Sequence, residues 1–142
     1  MSIRLATVED IDLVVEMGLK FIQATNYKDY ADEDTIRGLA TKIINLPNEE
    51  GVILIYENHG MLVATVTPFL FGKLKIAADI AWWIDPEHRG QKAGGELMEA
   101  FEYWAKLVGC NFVSMASLDD SVGKYYEKKG YVLQERAYTK EI

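Results

Sequence analysis

The stretch WWIDPEHRGQKAGGELMEAF constrains the fold more than any other part of the chain. An apolar strand runs to Asp85-Pro86, and a turn holding Gly90, Gly94 and Gly95 follows. The chain then leaves directly as an amphipathic helix over residues 94–108, with Leu97, Met98, Phe101, Trp104 and Leu107 at helical spacing. The first N–H groups of a helix have no acceptor inside it, and the aligned peptide dipoles add partial positive charge there. Such a turn can hold a pyrophosphate on main-chain donors alone, with glycines letting the backbone come close. The same glycines also suit a purely structural strand end and helix start.

The flanking sequence supplies the other elements of an α/β fold. Residues 2–6 read as a short strand, and Thr7 with Asp10 three positions on reads as a helix start. Val8, Ile11, Val14, Val15, Leu19 and Ile22 then share one helical face, while Glu9, Asp12, Glu16 and Lys20 look outward. Asp32 or Asp34 caps a second helix carrying Ile36, Leu39, Ile43 and Ile44, which Pro47 stops. The runs VILIYE and MLVATVTPF, joined by Asn58-His59-Gly60, predict an antiparallel hairpin. A third β-rich run covers about residues 74–84. Beyond Gly109 come a strand in NFVSMAS, a short helix over 121–129 stopped by Gly130, and a last strand beginning at Tyr131. The expected order is β-α-α-β-β-β-α-β-α-β in one domain over residues 1–142.

Composition narrows the partners. With 142 residues and 49% hydrophobic side chains the chain can build one sizeable core. A formal charge of -7 argues against nucleic acid and favours a cationic or amine-bearing partner. A single cysteine, Cys110, closes no internal disulfide, and two histidines offer no zinc spacing, so no metal is expected and a reducing, cytoplasmic setting is. No run of apolar residues is long enough for a membrane span, and none is expected.

Two motifs resemble the GNAT (GCN5-related N-acetyltransferase) superfamily. Its signature is Arg or Gln, two residues, Gly, one residue, then Gly or Ala, after a strand. In I-D-P-E-H-R-G-Q-K-A-G-G, Arg89 and Gly94 match the two ends, Gly90 the usual glycine after the arginine, and Lys92 stands in place of the middle glycine. A lysine there can take an ordinary helical-turn backbone, and its ammonium can meet phosphates. DDSVGKYYEKKGY is similar to the family pattern N-x-x-A-x-x-x-Y-E-K-x-G-F, with Asp119 for the Asn, Val122 for the Ala and the tyrosine at Tyr126. The resemblance spans the chain. It implies a mixed, twisted sheet splayed open between its fourth and fifth strands, with flanking helices and pantetheine lying in the opening.

The activity it implies is transfer of an acetyl group from acetyl-CoA to a small-molecule or peptide amine. Arg89, Gly90, Gln91, Lys92, Ala93, Gly94 and Gly95 would surround the pyrophosphate, main-chain groups near Trp82, Trp83 and Ile84 would hold the thioester carbonyl and pantetheine amides, and Asp119 completes the cofactor set. Tyr126 matches the general acid, since a phenol is protonated at neutral pH. A packed aromatic is the structural alternative for it, and Tyr125 is its rival. Asp79 interrupts the apolar strand KIAADIAWWI and is the candidate base, or an edge carboxylate in water or paired with lysine. Glu16, Tyr27 and Tyr30 lie where the family shapes its acceptor pocket, and solvated surface is the equal alternative for them. His59 and His88 are expected at the surface, and Cys110 buried as a small apolar residue. An acyl-CoA-binding or protein-interaction module without turnover is the competing function, and a homodimer through the last strand is a further expectation.

Overall fold

The computed structural model describes residues 2–142. Its frame is a five-stranded sheet in the order β1-β2-β3-β4-β5, formed by Ile3–Leu5, Gly51–Tyr56, Gly60–Pro68, Lys75–Ile84 and Phe112–Ser114. The first four strands pair antiparallel and β5 joins β4 in parallel, so the sheet is mixed and open. Helices α1 (Ile11–Gln23) and α2 (Glu33–Ile44) cover one face, and α3 (Ala93–Leu107) covers the other. A final helix, α4 (Asp120–Lys128), follows β5.

Both faces of the central strands are covered, which is why VILIYE reads as an unbroken apolar run. Ile53 and Ile55 point to the core under α1 and α2, whereas Val52 and Leu54 point to the core under α3. Polar side chains set where the helices begin. Thr7 N–H donates to Asp10 Oδ2 at 2.8 Å, closing a capping box ahead of a 3-10 turn that leads into α1. Of the two candidates before α2, Asp32 is the cap, accepting from Thr35 N at 2.9 Å. The β2–β3 turn places Glu57 and Asn58 in the left-handed region, at φ 43° and 64°, and Gly60 already belongs to β3.

The expected strand from Tyr131 does not form. Residues 132–142 pair with no strand, and Val132 and Leu133 stay exposed. Side chains hold this segment instead: Tyr131 donates to Glu102 Oε2 at 2.8 Å, Tyr27 to Thr139 Oγ1 at 3.2 Å and Tyr30 to Glu141 Oε2 at 2.7 Å. A β-prone run becomes a strand only against a partner edge, and this one is led away from the short β5 toward the α1–α2 connection. Among the described residues no helix is long and apolar enough to cross a membrane.

Candidate active site

Strand β5 leaves β4 early. Their register holds only for Ile76↔Phe112, Ala77↔Val113 and Ala78↔Ser114, and from Asp79 to Ile84 the β5 side of β4 is open. One side chain spans the start of the gap, and a second holds its far side. Asp79 Oδ1 accepts from Ala116 N at 2.9 Å, and the Tyr126 hydroxyl donates to Ala116 O at 2.8 Å. Burial pushes the Asp79 carboxyl up to about 6, against the main-chain hydrogen bonds that pull it down. Burial first, then the Asp79 charge and Tyr125, raise the Tyr126 phenol well above its ordinary value, so it stays protonated.

A β-bulge decides which side chains share this space. Val63 pairs with Ala81 and Ala64 with Asp79, leaving Ile80 without a partner on β3. Ala77 before the bulge and Trp82 and Ile84 after it all pack on the α3 side, while Ala81 and Trp83 pack under α1 and α2. The extra residue thus puts Asp79 and Trp82 on one face. The Trp82 ring lies 5.7 Å from Tyr126 and 6.0 Å from Tyr125, centroid to centroid. Its Nε1 is buried with no hydrogen-bond partner.

The glycine turn sits beside this cluster. Gly90 has φ +77° with nothing within 4 Å of an added Cβ, so the backbone angle, not space, calls for glycine. Lys92 has φ -82° and ψ -15°, the ordinary helical backbone anticipated for it. No side chain caps α3, whereas Asp32 caps α2 and Asp119 caps α4. The helix's own ladder opens with Glu96 N to Lys92 O at 2.9 Å, which leaves the N–H groups of Ala93, Gly94 and Gly95 without helical acceptors. An added Cβ on Gly94 would lie 3.3 Å from both Ile84 Cδ1 and Trp82 Cζ2. Gly94, expected to let the backbone approach a phosphate, also owes its missing side chain to the close seating of α3 on β4. Arg89 stitches the turn to the strand end, its Nε donating to Ile84 O at 2.8 Å and its guanidinium 4.7 Å over the Trp83 ring.

Asp85, read from sequence only as a strand stop, is the hub of this end. It is 8% exposed, accepts from Trp83 Nε1 at 2.9 Å and lies 3.4 Å from Lys20 Nζ and 3.7 Å from His59 Nδ1. Burial acts to raise its pKa, and Trp83, Lys20 and His59 more than offset that, holding the carboxyl below its usual value. The histidines expected at the surface are instead both half-buried, with His59 and His88 stacked at 3.8 Å between centroids. The stack ties the β2–β3 turn to the residues just before Arg89.

The model of the acetyltransferase (GNAT) family matches residues 18–131. The chain belongs to the GNAT acetyltransferase family. This GNAT chain is similar in fold to an aminoglycoside 6'-N-acetyltransferase from Acinetobacter haemolyticus, at 19% identity and TM-score 0.76 over 100% of this chain and 99% of that one. It is similar to an aminoglycoside N-acetyltransferase in complex with CoA, at 12% identity and TM-score 0.78 over 99% and 93%. A transcriptional regulator from Bacillus halodurans has the same fold, at 19% identity and TM-score 0.78 over 99% and 98%. No curated protein matches the sequence.

The GNAT chain therefore gathers Asp79, Trp82, Tyr125 and Tyr126 at the splay, with Arg89 to Gly95 adjoining through the Gly94–Trp82 contact. Asp119 has its carboxylate engaged as the α4 cap, accepting from Val122 N at 3.0 Å and Ser121 Oγ at 2.7 Å. Glu16, Tyr27 and Tyr30 are exposed and do not join this cluster; the two tyrosines hold the C-terminal segment. Cys110 is half-buried, and burial raises its thiol.

Proposed function

We propose that this chain transfers an acetyl group from acetyl-CoA to the primary amine of a small-molecule or peptide acceptor by direct attack. One observation carries the reading: an uncapped helix start at Ala93–Gly95 adjoins a strand edge that is open from Asp79 to Ile84. Unused main-chain donors, a glycine at φ +77° and a buried indole N–H without a partner suit a phosphorylated, amide-bearing arm. Bound acetyl-CoA supplies the thioester whose acyl group is transferred.

The residues divide the remaining work. Main-chain N–H groups from Gly90 to Gly95 hold the pyrophosphate, with Gln91 and Ala93 in the same turn and the Lys92 and Arg89 charges alongside. Main-chain groups of Trp82, Trp83 and Ile84 hold the pantetheine amides and the acyl carbonyl. Tyr126 gives its hydroxyl proton to the leaving sulfur, releasing Ala116 O as it does so, and Asp119, by capping α4, orients that tyrosine. Asp79, ionised above about pH 6, takes the proton from the incoming amine directly or through water.

The acidic balance of -7 and the aminoglycoside acetyltransferases of like fold support a cationic amine as acceptor. The reading includes a cytoplasmic setting, and the free outer edge of β5 offers a second copy a place to pair. That Asp79 and Tyr126 both engage Ala116 favours a second reading, a module that binds acyl-CoA without turnover. An amine panel incubated with acetyl-CoA separates the two. Release of free thiol with one or more amines establishes transfer; CoA binding with no release from any amine establishes the binding module.

A further inference from the structure

We infer that the indole N–H of Trp82 is a hydrogen-bond donor to the arm of bound acetyl-CoA, through an amide carbonyl or a phosphate oxygen. The inference rests on the cofactor reading above and adds a side-chain contact to the main-chain ones.

The chain has three tryptophans, and two of their N–H groups are matched. Trp83 Nε1 donates to Asp85 Oδ1 at 2.9 Å and Trp104 Nε1 to Asn48 O at 2.9 Å. Trp82 Nε1 is the buried side-chain polar atom left without a partner among the described residues. An indole nitrogen only donates, and a buried donor with no acceptor is destabilising. A phenylalanine at this position would carry no such donor.

Its surroundings indicate where the missing acceptor arrives. The Trp82 ring edge next to Nε1 is the one that meets Gly94, since Cζ2 lies 3.3 Å from a Cβ built there. The same ring faces Tyr125 and Tyr126 at 6.0 and 5.7 Å. Trp82 itself stands on the stretch of β4 whose edge is open. An arm that runs along this edge to the start of α3 passes the Trp82 side chain. Neither tyrosine hydroxyl accepts from it: that of Tyr126 is turned to Ala116 O, and Nε1 has no partner at all.

The test reads the indole directly. In the full-length 15N-labelled protein, three Nε1–H cross-peaks are followed during titration with CoA, pantetheine and 3',5'-ADP, and Trp82→Phe assigns the Trp82 peak by its loss. The expected result is a large downfield move of the Trp82 peak on CoA binding, with the Trp83 and Trp104 peaks nearly still. A move with pantetheine alone identifies an amide carbonyl as acceptor, and a move with 3',5'-ADP alone a phosphate oxygen. Trp82→Phe should bind CoA roughly three- to tenfold more weakly. Saturation by CoA, seen at the Gly94 and Gly95 amides, with a stationary Trp82 peak overturns the inference, and if the variant fails to fold the same saturation with all three indole peaks stationary does so. If CoA moves no resonance anywhere, the cofactor reading fails first and this one with it.

Discussion

Asp79 and Tyr126 grip opposite sides of one residue: the carboxylate accepts from Ala116 N–H at 2.9 Å and the phenol O–H donates to the Ala116 carbonyl at 2.8 Å. The two groups named for acid–base work are therefore also the struts that position the chain where β5 leaves β4. A variant at either site has a structural and a chemical consequence, and the experiments below are chosen to separate them.

Tyr126→Phe keeps the ring and removes the hydroxyl. Loss of its hydrogen bond should lower stability by about 1 kcal/mol. If the phenol protonates the leaving sulfur, turnover falls by roughly a hundredfold with CoA affinity little changed. Tyr125→Phe, assayed beside it, should keep most activity. Wild-type turnover in Tyr126→Phe, with chemistry rate-limiting, makes Tyr126 a packing residue.

Asp79 should leave its mark on pH profiles. Its pKa rises on folding from 3.8 to about 6, so the folded state holds the proton more tightly than the unfolded one. The stability this contributes is complete below 3.8 and is lost as pH climbs through about 6. Wild type should therefore lose roughly 1 kcal/mol more than Asp79→Asn between about pH 5 and pH 7.5. In turnover the sign reverses, because a base works when ionised. The rate should rise through about pH 6, and an unchanged acidic limb in Asp79→Asn assigns that limb elsewhere.

Gly94→Val tests the joint between α3 and β4. The new side chain starts 3.3 Å from Ile84 Cδ1 and Trp82 Cζ2, so the helix start must lift away from the strand. Overpacking of this kind costs about 1–3 kcal/mol. CoA affinity, measured calorimetrically on folded protein, should drop about tenfold or more as the turn's N–H groups lose their places. Unchanged affinity would remove Gly94 from the cofactor site.

Asp85→Ala should be among the more damaging changes outside the splay. It leaves the Trp83 indole buried without an acceptor and Lys20 and His59 without their carboxylate, a loss of about 2–3 kcal/mol in denaturant unfolding. Asp85→Asn keeps an acceptor for Trp83 and should lose about half as much. Equal stability for Asp85→Ala and wild type would show that the hub holds nothing together.

What could be read from the sequence was what depends on neighbours along the chain. The Thr7–Asp10 box, the Asp32 cap, the hairpin and the strand-turn-helix unit around Gly90 are local, and each formed within a few residues of its expected place. The features that escaped are made by distant partners. Asp85 draws on Lys20, His59 and Trp83, and only its place before Pro86 was visible. The bulge at Ile80 hides because one extra residue barely disturbs an apolar run, yet it sets which face Asp79 and Trp82 share. Tyr131 and Val132 carry β propensity, but the segment they begin is drawn toward Tyr27 and Tyr30 and away from the β5 edge, a path set by distant partners.

The early parting of β4 and β5 also bears on how such a cleft could be re-dimensioned. A gap between paired strands usually has its width dictated by the backbone ladder, which allows few steps. Here, past Ala78 and Ser114, the spacing is carried by the two-carbon carboxylate of Asp79 reaching across to Ala116 N, with the Tyr126 phenol holding Ala116 O from the α4 side. Lengthening the first strut by one methylene, as in Asp79→Glu, would pry the jaws apart by a fraction of a strand spacing without disturbing any ladder hydrogen bond.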